Sequence, residues 1–237
     1  NLPELMNLFK EVADIKTADQ LDLPTPEVEY HNIVAKPTEH QQDMVKALSE
    51  RAAKVHSGTV DPSTDNMLKI TSDGRKLGLD QRIINPMLPD EPGTKVNQCV
   101  DNILQIWRDG QPEKLTQLVF CDISTPQAAG SKKVAKTLDN PILHALEQAV
   151  PEPEKPLAFT VYEDIRQKLI AQGMPASQIA FIHEANTEVR KKELFSKVRS
   201  GQVRVLLGST QKMGAGTNVQ DLLVALHDLD CPWRPGD

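Results

Sequence analysis

The chain has 237 residues, 39% of them hydrophobic, and a formal net charge of −6; it can bury one substantial core with an accessory subdomain, and disorder throughout is excluded. The acidic balance also excludes a domain that coats nucleic acid by bulk charge, so any contact with DNA has to be local. Cys99, Cys121 and Cys231 lie far apart with no C-x-x-C spacing, which indicates neither a zinc site nor a disulfide framework.

No apolar segment is long enough for a membrane span, and no charged-then-apolar leader opens the chain, so a cytoplasmic protein with reduced cysteines is expected. The chain begins at Asn1 and not at Met, which leaves room for a leader or whole domains before it. Leu2, Leu5, Met6, Phe9, Val12 and Ala13 share one helical face, predicting an amphipathic opening helix that packs on another surface. The stretch LDLPTPEVEYHNIVAKP reads as a proline-bounded loop and then a strand, with Val28, Tyr30 and Val34 alternating with polar neighbours. Thr38 and Gln41 form a capping box, and the helix behind it carries Met44, Val45, Leu48, Ala52 and Val55 at helical spacing, ending near Ser57 and Gly58. The charged face of that helix, with Lys46, Arg51 and Lys54, reads as solvated surface.

From Asp61 to Thr94 the residues Pro62, Gly74, Pro86, Pro89, Pro92 and Gly93 punctuate a connector, with one short helix around Met67 to Ser72. Lys95 to Asp109 is a stronger helix: Thr94 is its N-cap, Val96, Val100, Ile103 and Trp107 line one side, and Gly110 follows its end. After Glu113 the pattern becomes regular. Strand Leu115 to Ile123 leads to helices at Lys136 to Ala149 and Val161 to Gln172. Strand Ile179 to His183, helix Thr187 to Ser200 and strands Val203 to Leu207 and Leu222 to His227 complete it. Pro151, Pro153 and Pro156 mark an inserted spacer. Strands alternating with helices predict an α/β fold with a parallel sheet covered by helices.

The stretch that carries chemistry is Val203 to Asn218, VRVLLGSTQKMGAGTN, in which a β-prone run empties into a loop of hydroxyls and glycines. Ser209 and Thr210 offer hydroxyls, and Gly214 and Gly216 let backbone N–H groups approach an anion. Two common phosphate motifs do not fit. No Gly-Lys pair exists for a P-loop, and the third glycine of G-x-G-x-x-G is replaced by Val219. For an isolated G-x-G, a strand-to-helix turn with glycines for geometry is the alternative.

The longer string GSTQKMGAGTNVQ, followed by LVALHDLDCPWRP, resembles motif V of superfamily 2 helicases. More narrowly it is similar to the Swi/Snf-type DNA translocases, whose second RecA-like lobe carries S-T-x-x-x-G-x-G-x-N-L, a strand, then an Asp and a Trp-x-Pro turn. Ser209, Thr210, Gly214, Gly216, Asn218, Val219, Asp230, Trp233 and Pro235 stand at those positions. Val219 replaces the usual Leu, Ala215 lies within the glycine core, and Arg234 stands where Asn is common. KMGAGTNVQ with PWRP is similar to the version in large bacterial helicase and adenine-methylase proteins of mobile elements. Gln41, Thr94 and Lys95 match the prelude to the family's second lobe more loosely.

The resemblance implies a RecA-like, three-layer αβα lobe over 113–237, ending before motif VI, with a mostly helical prelude over 1–112. It implies DNA backbone contacts from Ser124 and Thr125 after one strand, and from Ser209, Thr210 and Lys212 after another. For Ser124 and Thr125 a plain turn or N-cap is an equal alternative. Gly214, Gly216 and Asn218 would couple nucleotide state to DNA grip, and closure and opening of two lobes around ATP would ratchet the DNA-contacting surfaces. Partners implied are DNA, a first RecA-like lobe and, as in the mobile-element proteins, a fused methylase domain. ATP and Mg²⁺ are expected for the intact motor. This chain has neither a P-loop nor a D-E-x-[HD] box, and it stops before the Q-x-x-G-R-x-x-R motif, so it is expected not to hydrolyse ATP alone.

Arg190, Lys191, Lys192, Lys197, Arg199, Arg204 and Lys212 form one basic-biased stretch, read as solvated surface except for Lys212 in the loop. His183 with Glu184 resembles a structural turn more than an acid–base pair, and His227, Asp228, Asp230 and Cys231 are too closely spaced for one tetrahedral metal site. No catalytic or metal-ligating residue is therefore expected. The competing reading is a stand-alone α/β module that binds a phosphorylated small molecule through the same loop.

Overall fold

The computed structural model describes residues 2–14, 16, 20–21, 26–126, 159–214 and 217–232. The chain divides into two compact units, Asn1–Ile33 and Val34–Asp237. In the first, helix α1 (Leu2–Val12) forms as its spacing predicts, and its apolar residues Leu5, Phe9 and Val12 are exposed.

The second unit is built on a four-stranded sheet in the order β2-β3-β1-β4, with β1 at Thr116–Phe120, β2 at Ile179–Phe181, β3 at Val205–Gly208 and β4 at Leu223–Asp228. All three pairings are parallel. The predicted α/β class with a parallel sheet is what the chain adopts, consistent with a RecA-like lobe preceded by helices. β1 and β3 are central and buried on both faces, as strands covered on both sides must be. On one face Val119, Cys121, Val205, Leu207 and Phe181 pack against helix α4 (Lys95–Asp109) and helix α5 (Val161–Ala171), through Val100, Ile103, Ile165 and Leu169. On the other, Leu118, Leu206 and Val203 meet Val198 of helix α6 (Glu188–Arg199) and Met213 of the short helix α7 (Thr210–Met213). β4 lies at the edge, and its residues alternate between half-buried and exposed.

Helix α4 has the predicted bounds, with the Thr94 hydroxyl accepting from Asn97 N–H and Gly110 after its last turn. Helix α2 (Glu39–His56) carries the predicted capping box; Met44, Leu48, Ala52 and Val55 are half-buried along the expected face, while Val45 is exposed. Arg51 on that helix is not merely solvated: it holds Asp65 at 2.7 Å and Asp73 at 3.0 Å.

Three expectations require correction. Residues 26–38 contain no strand, and Val28, Tyr30 and Val34 are exposed; alternation selects a strand only where a neighbouring strand completes the ladder, and none of the four strands pairs there. The short helix expected at Met67 to Ser72 is α3, Met67–Leu79, which runs through Gly74 and Gly78. Each glycine costs about 1 kcal/mol in a helix, and burial of Ile70, Leu77 and Leu79 outweighs that at about 1.5–3 kcal/mol per side chain. The supposed connector is also anchored: Asp80, Gln81 and Arg82 are buried polar residues at its centre. The expected helix Lys136 to Ala149 and the Pro151, Pro153 and Pro156 spacer lie outside the described residues.

Candidate functional site

Ligands of open α/β sheets collect at the carboxyl ends of the strands, and there the sheet brings two loops together. Cys121, the first residue after β1, donates its N–H to the Gly208 carbonyl of β3 at 2.9 Å. One residue on, Asp122 accepts the Thr210 N–H on Oδ1 at 2.7 Å. Ser124 and Thr125 on the first loop, and Ser209 and Thr210 on the second, thus sit at the ends of adjacent strands. Ser209 is buried and makes no side-chain cap bond, Thr210 is half-buried and Lys212 is exposed on α7.

Glycine is required at two points in this neighbourhood. A Cβ on Gly208 would fall 2.5 Å from Ile182 Cγ2 and from Met213 Sδ, and one on Gly214 would fall 2.6 Å from the Thr210 carbonyl oxygen. The first lets β3 end tightly under α7, and the second lets α7 turn out into the loop. Asn218 is exposed, with its carbonyl accepting from Arg199 at 2.8 Å. Gly216 and the Trp233, Arg234 and Pro235 positions lie outside the described residues.

Ser124 has a left-handed backbone, φ 61°, and its hydroxyl accepts the Val161 N–H at 3.1 Å. The turn reading of Ser124 therefore has substance, yet a hydroxyl that accepts keeps its own hydrogen for donation. The loop is held from below by Asp230, whose carboxylate accepts the Asp122 N–H at 2.9 Å and the Ile123 N–H at 2.7 Å. Burial pushes the Asp230 carboxyl above the usual carboxylate range, against the opposing pull of these N–H groups and of Arg75. Tyr162 braces the same turn by donating to the Cys121 carbonyl at 2.5 Å.

Sequence reasoning missed Asp122 as the residue that ties the two loops, because an Asp after a strand reads as an ordinary turn residue. It also left Arg204 in a surface stretch. Arg204 is 2% exposed and donates to the Gly110 carbonyl at 2.9 Å and the Leu115 carbonyl at 2.5 Å, so it closes the end of α4 and faces no ligand. His183 stacks edge-on to Tyr162, ring centroids 5.3 Å apart. Burial and the nearby Lys212 ammonium hold its pKa below the ordinary imidazole value.

The chain matches no protein-family model and no curated protein. Among the described residues no group of three or more His, Cys, Asp or Glu is gathered as for a metal ion, and no helix is long and apolar enough to cross a membrane.

His227 on β4 serves the frame of the site. Gln117 donates its amide to the Ile103 carbonyl at 3.0 Å, which turns its oxygen toward His227 Nε2 at 2.8 Å; the imidazole is the donor and carries its hydrogen on Nε2. Burial pushes this imidazole from 6.5 down to about 4. The unfolded chain then binds more protons between those values, so the stabilisation is complete above pH 6.5 and is lost as pH falls toward 4, about 3 kcal/mol in all. His227→Gln removes that linkage. In urea unfolding across this range, the advantage of the wild type over the variant is expected to shrink by about 3 kcal/mol; parallel pH profiles would contradict it.

Proposed function

We propose that this chain is the second RecA-like lobe of an ATP-dependent DNA helicase or translocase, of superfamily 2 and Swi/Snf type. Its role is to grip the sugar-phosphate backbone through the loops after β1 and β3. The observation that carries this reading is the position of the GSTQKMGAGTN string. It lies at the carboxyl end of a central parallel strand, tied through Asp122 to the Ser124 loop of the neighbouring strand.

Neutral hydroxyls and one lysine suit a motor that must hold, release and ignore sequence, because phosphate contacts position a protein without specifying bases. Ser124, Thr125, Ser209, Thr210 and Lys212 would supply those donors. Gly214, Gly216 and Asn218 would relay nucleotide state to the loop, with Arg199 fixing the Asn218 carbonyl. No P-loop occurs in the sequence, and in this reading Mg-ATP is held with a first lobe. A cytoplasmic setting and a fused methylase domain, as in the mobile-element proteins the string resembles, belong to the same proposal.

Thr210→Ala with Lys212→Ala tests the grip. The double variant is expected to bind duplex DNA roughly tenfold more weakly and to lose about one unit of salt slope, for the one cation removed. Unchanged binding and slope would sink the DNA role of the loop. Saturable binding of a sugar phosphate that DNA cannot displace would instead favour a module for phosphorylated small molecules.

A further inference from the structure

A third loop leaves the carboxyl end of the sheet, and the grip proposed above makes no use of it. β2 runs directly into the turn Ile182–Glu184. Phe181 at its end stands opposite Leu207 of β3 in a parallel pairing, so His183 lies at the same end of the sheet as the loops after β1 and β3. The turn also packs on α7: a Cβ on Gly208 would meet Ile182 Cγ2 and Met213 Sδ, both at 2.5 Å. His183 follows Ile182 in the chain and Lys212 precedes Met213.

The imidazole is fixed in place. The Tyr162 ring meets it edge-on at 85°, centroids 5.3 Å apart, and the Tyr162 hydroxyl donates to the Cys121 carbonyl at 2.5 Å; one tyrosine thus braces both His183 and the turn after β1. The neighbouring carboxylate, Glu184, is engaged with Arg166 at 3.5 Å and leaves the imidazole free of an acidic partner.

The two ring nitrogens are not equivalent. Among the described residues only Thr116 Oγ1 and His183 Nδ1 are side-chain polar atoms buried without a hydrogen-bond partner. A buried group left unpaired costs about 1–3 kcal/mol, and orphaned N–H groups are rarer in folded proteins than acceptors with unused lone pairs. The hydrogen of the neutral ring therefore sits on Nε2, which is not buried in this way, and a second proton would place a charged N–H on the orphaned Nδ1. Burial, and after it the Lys212 ammonium, act in the same direction and keep the ring neutral.

We infer that His183 is a third backbone contact of the grip, a neutral donor that gives its Nε2 hydrogen to a phosphate oxygen beside Lys212. The inference rests on the DNA-gripping role proposed above and extends it from two strand ends to three. A hydrogen bond from a neutral donor to a charged oxygen adds affinity and releases no counterion of its own, so its contribution does not vary with salt as that of Lys212 does.

The test is fluorescence anisotropy of a labelled duplex with the full 237-residue chain across a salt series near pH 7.5, above the ordinary imidazole value. The proteins are the wild type, His183→Phe, His183→Gln and Thr210→Ala/Lys212→Ala, with circular dichroism checking that each is folded. His183→Phe keeps a ring against Tyr162 and removes the donor; His183→Gln gives up the ring and places an amide N–H near the Nε2 position. The phenylalanine variant is expected to bind about tenfold more weakly with an unchanged salt slope, and the glutamine variant to recover most of the loss. Wild-type binding by His183→Phe, with the loop variant weakened, overturns the inference and leaves the loop grip standing. A glutamine variant as weak as the phenylalanine one, or a slope reduced by about one unit in His183→Phe, overturns the neutral donor. Weakening of His183→Phe with recovery in His183→Gln and an unaltered loop variant supports His183 and removes Thr210 and Lys212 from the grip. A wild-type chain that does not bind duplex DNA overturns both. Nitrogen NMR of the wild-type imidazole needs no variant: the Nε2-protonated tautomer, with an Nε2 shift that moves when duplex is added, is expected, and a ring unmoved by DNA contradicts the contact.

Discussion

Arg82→Ala is expected to cost about 3–5 kcal/mol of folding stability, the cost of leaving buried charges without their partner. Arg82 is 8% exposed, and Asp80 is 1% exposed. The guanidinium reaches Asp80 at 2.7 Å, Asp164 at 2.8 Å and Asp90 at 3.3 Å, and lies 4.5 Å from the centre of the Phe159 ring. It therefore joins the end of α3, the loop before α4 and the first turn of α5. Lys168, at 2.7 Å from both Asp90 and Asp164, can still compensate two of the carboxylates; Asp80 would be left alone. Arg82→Lys keeps a charge but not the fork that serves two carboxylates at once, and should recover only part of the loss. A domain of this size has about 5–15 kcal/mol in total, so urea unfolding will resolve the effect easily, and a loss below about 1 kcal/mol would show that the cluster is not holding these elements together.

The second large effect is expected at Arg204. Its side chain is buried under the end of α4, where it donates to the Gly110 and Leu115 carbonyls and more weakly to the Trp107 carbonyl at 3.4 Å. A cation at a helix C-terminus also meets the negative end of the helix dipole. Burial lowers its pKa, a sign that this guanidinium sits where charge is costly, and the carbonyls are what compensate it. Arg204→Met keeps much of the volume and removes every donor. With charge-assisted bonds at about 1.5–3 kcal/mol each and unsatisfied carbonyls left behind, a loss of about 2–4 kcal/mol is expected in denaturant unfolding. DNA binding at low denaturant should be unaltered, since Arg204 faces the interior. The opposite pattern, intact stability with weakened DNA binding, would place Arg204 on the DNA-contacting surface instead.

These two arginines show where the sequence is silent. Arg204 sits between β-prone residues in a basic-biased stretch, and nothing local distinguishes a cation that caps a distant helix from one on the surface. Arg82 has one partner two residues before it and another 82 residues later, a pairing that exists only after α5 has packed. Local signals were legible for local reasons: Thr94 and Gly110 bound α4, the Thr38 and Gln41 box starts α2, and the VLLG run of β3 needs both faces buried. Gly74 misled because propensity is a weak force beside burial of Leu77 and Leu79. Val28 and Tyr30 misled because alternation describes a face and cannot supply the neighbouring strand. At the candidate site the hydroxyls and glycines of the loop were visible, whereas Asp122 became visible only when β1 and β3 were paired.

The most direct measurement of the central claim is equilibrium binding of the full chain to two duplexes of unrelated sequence over a salt series. With Lys212 on the backbone, the affinities should agree within about twofold, and the logarithmic salt slope should be about −1 or steeper. Absence of binding, a slope near zero, or strong preference for one sequence would contradict a lobe that grips DNA through its phosphates.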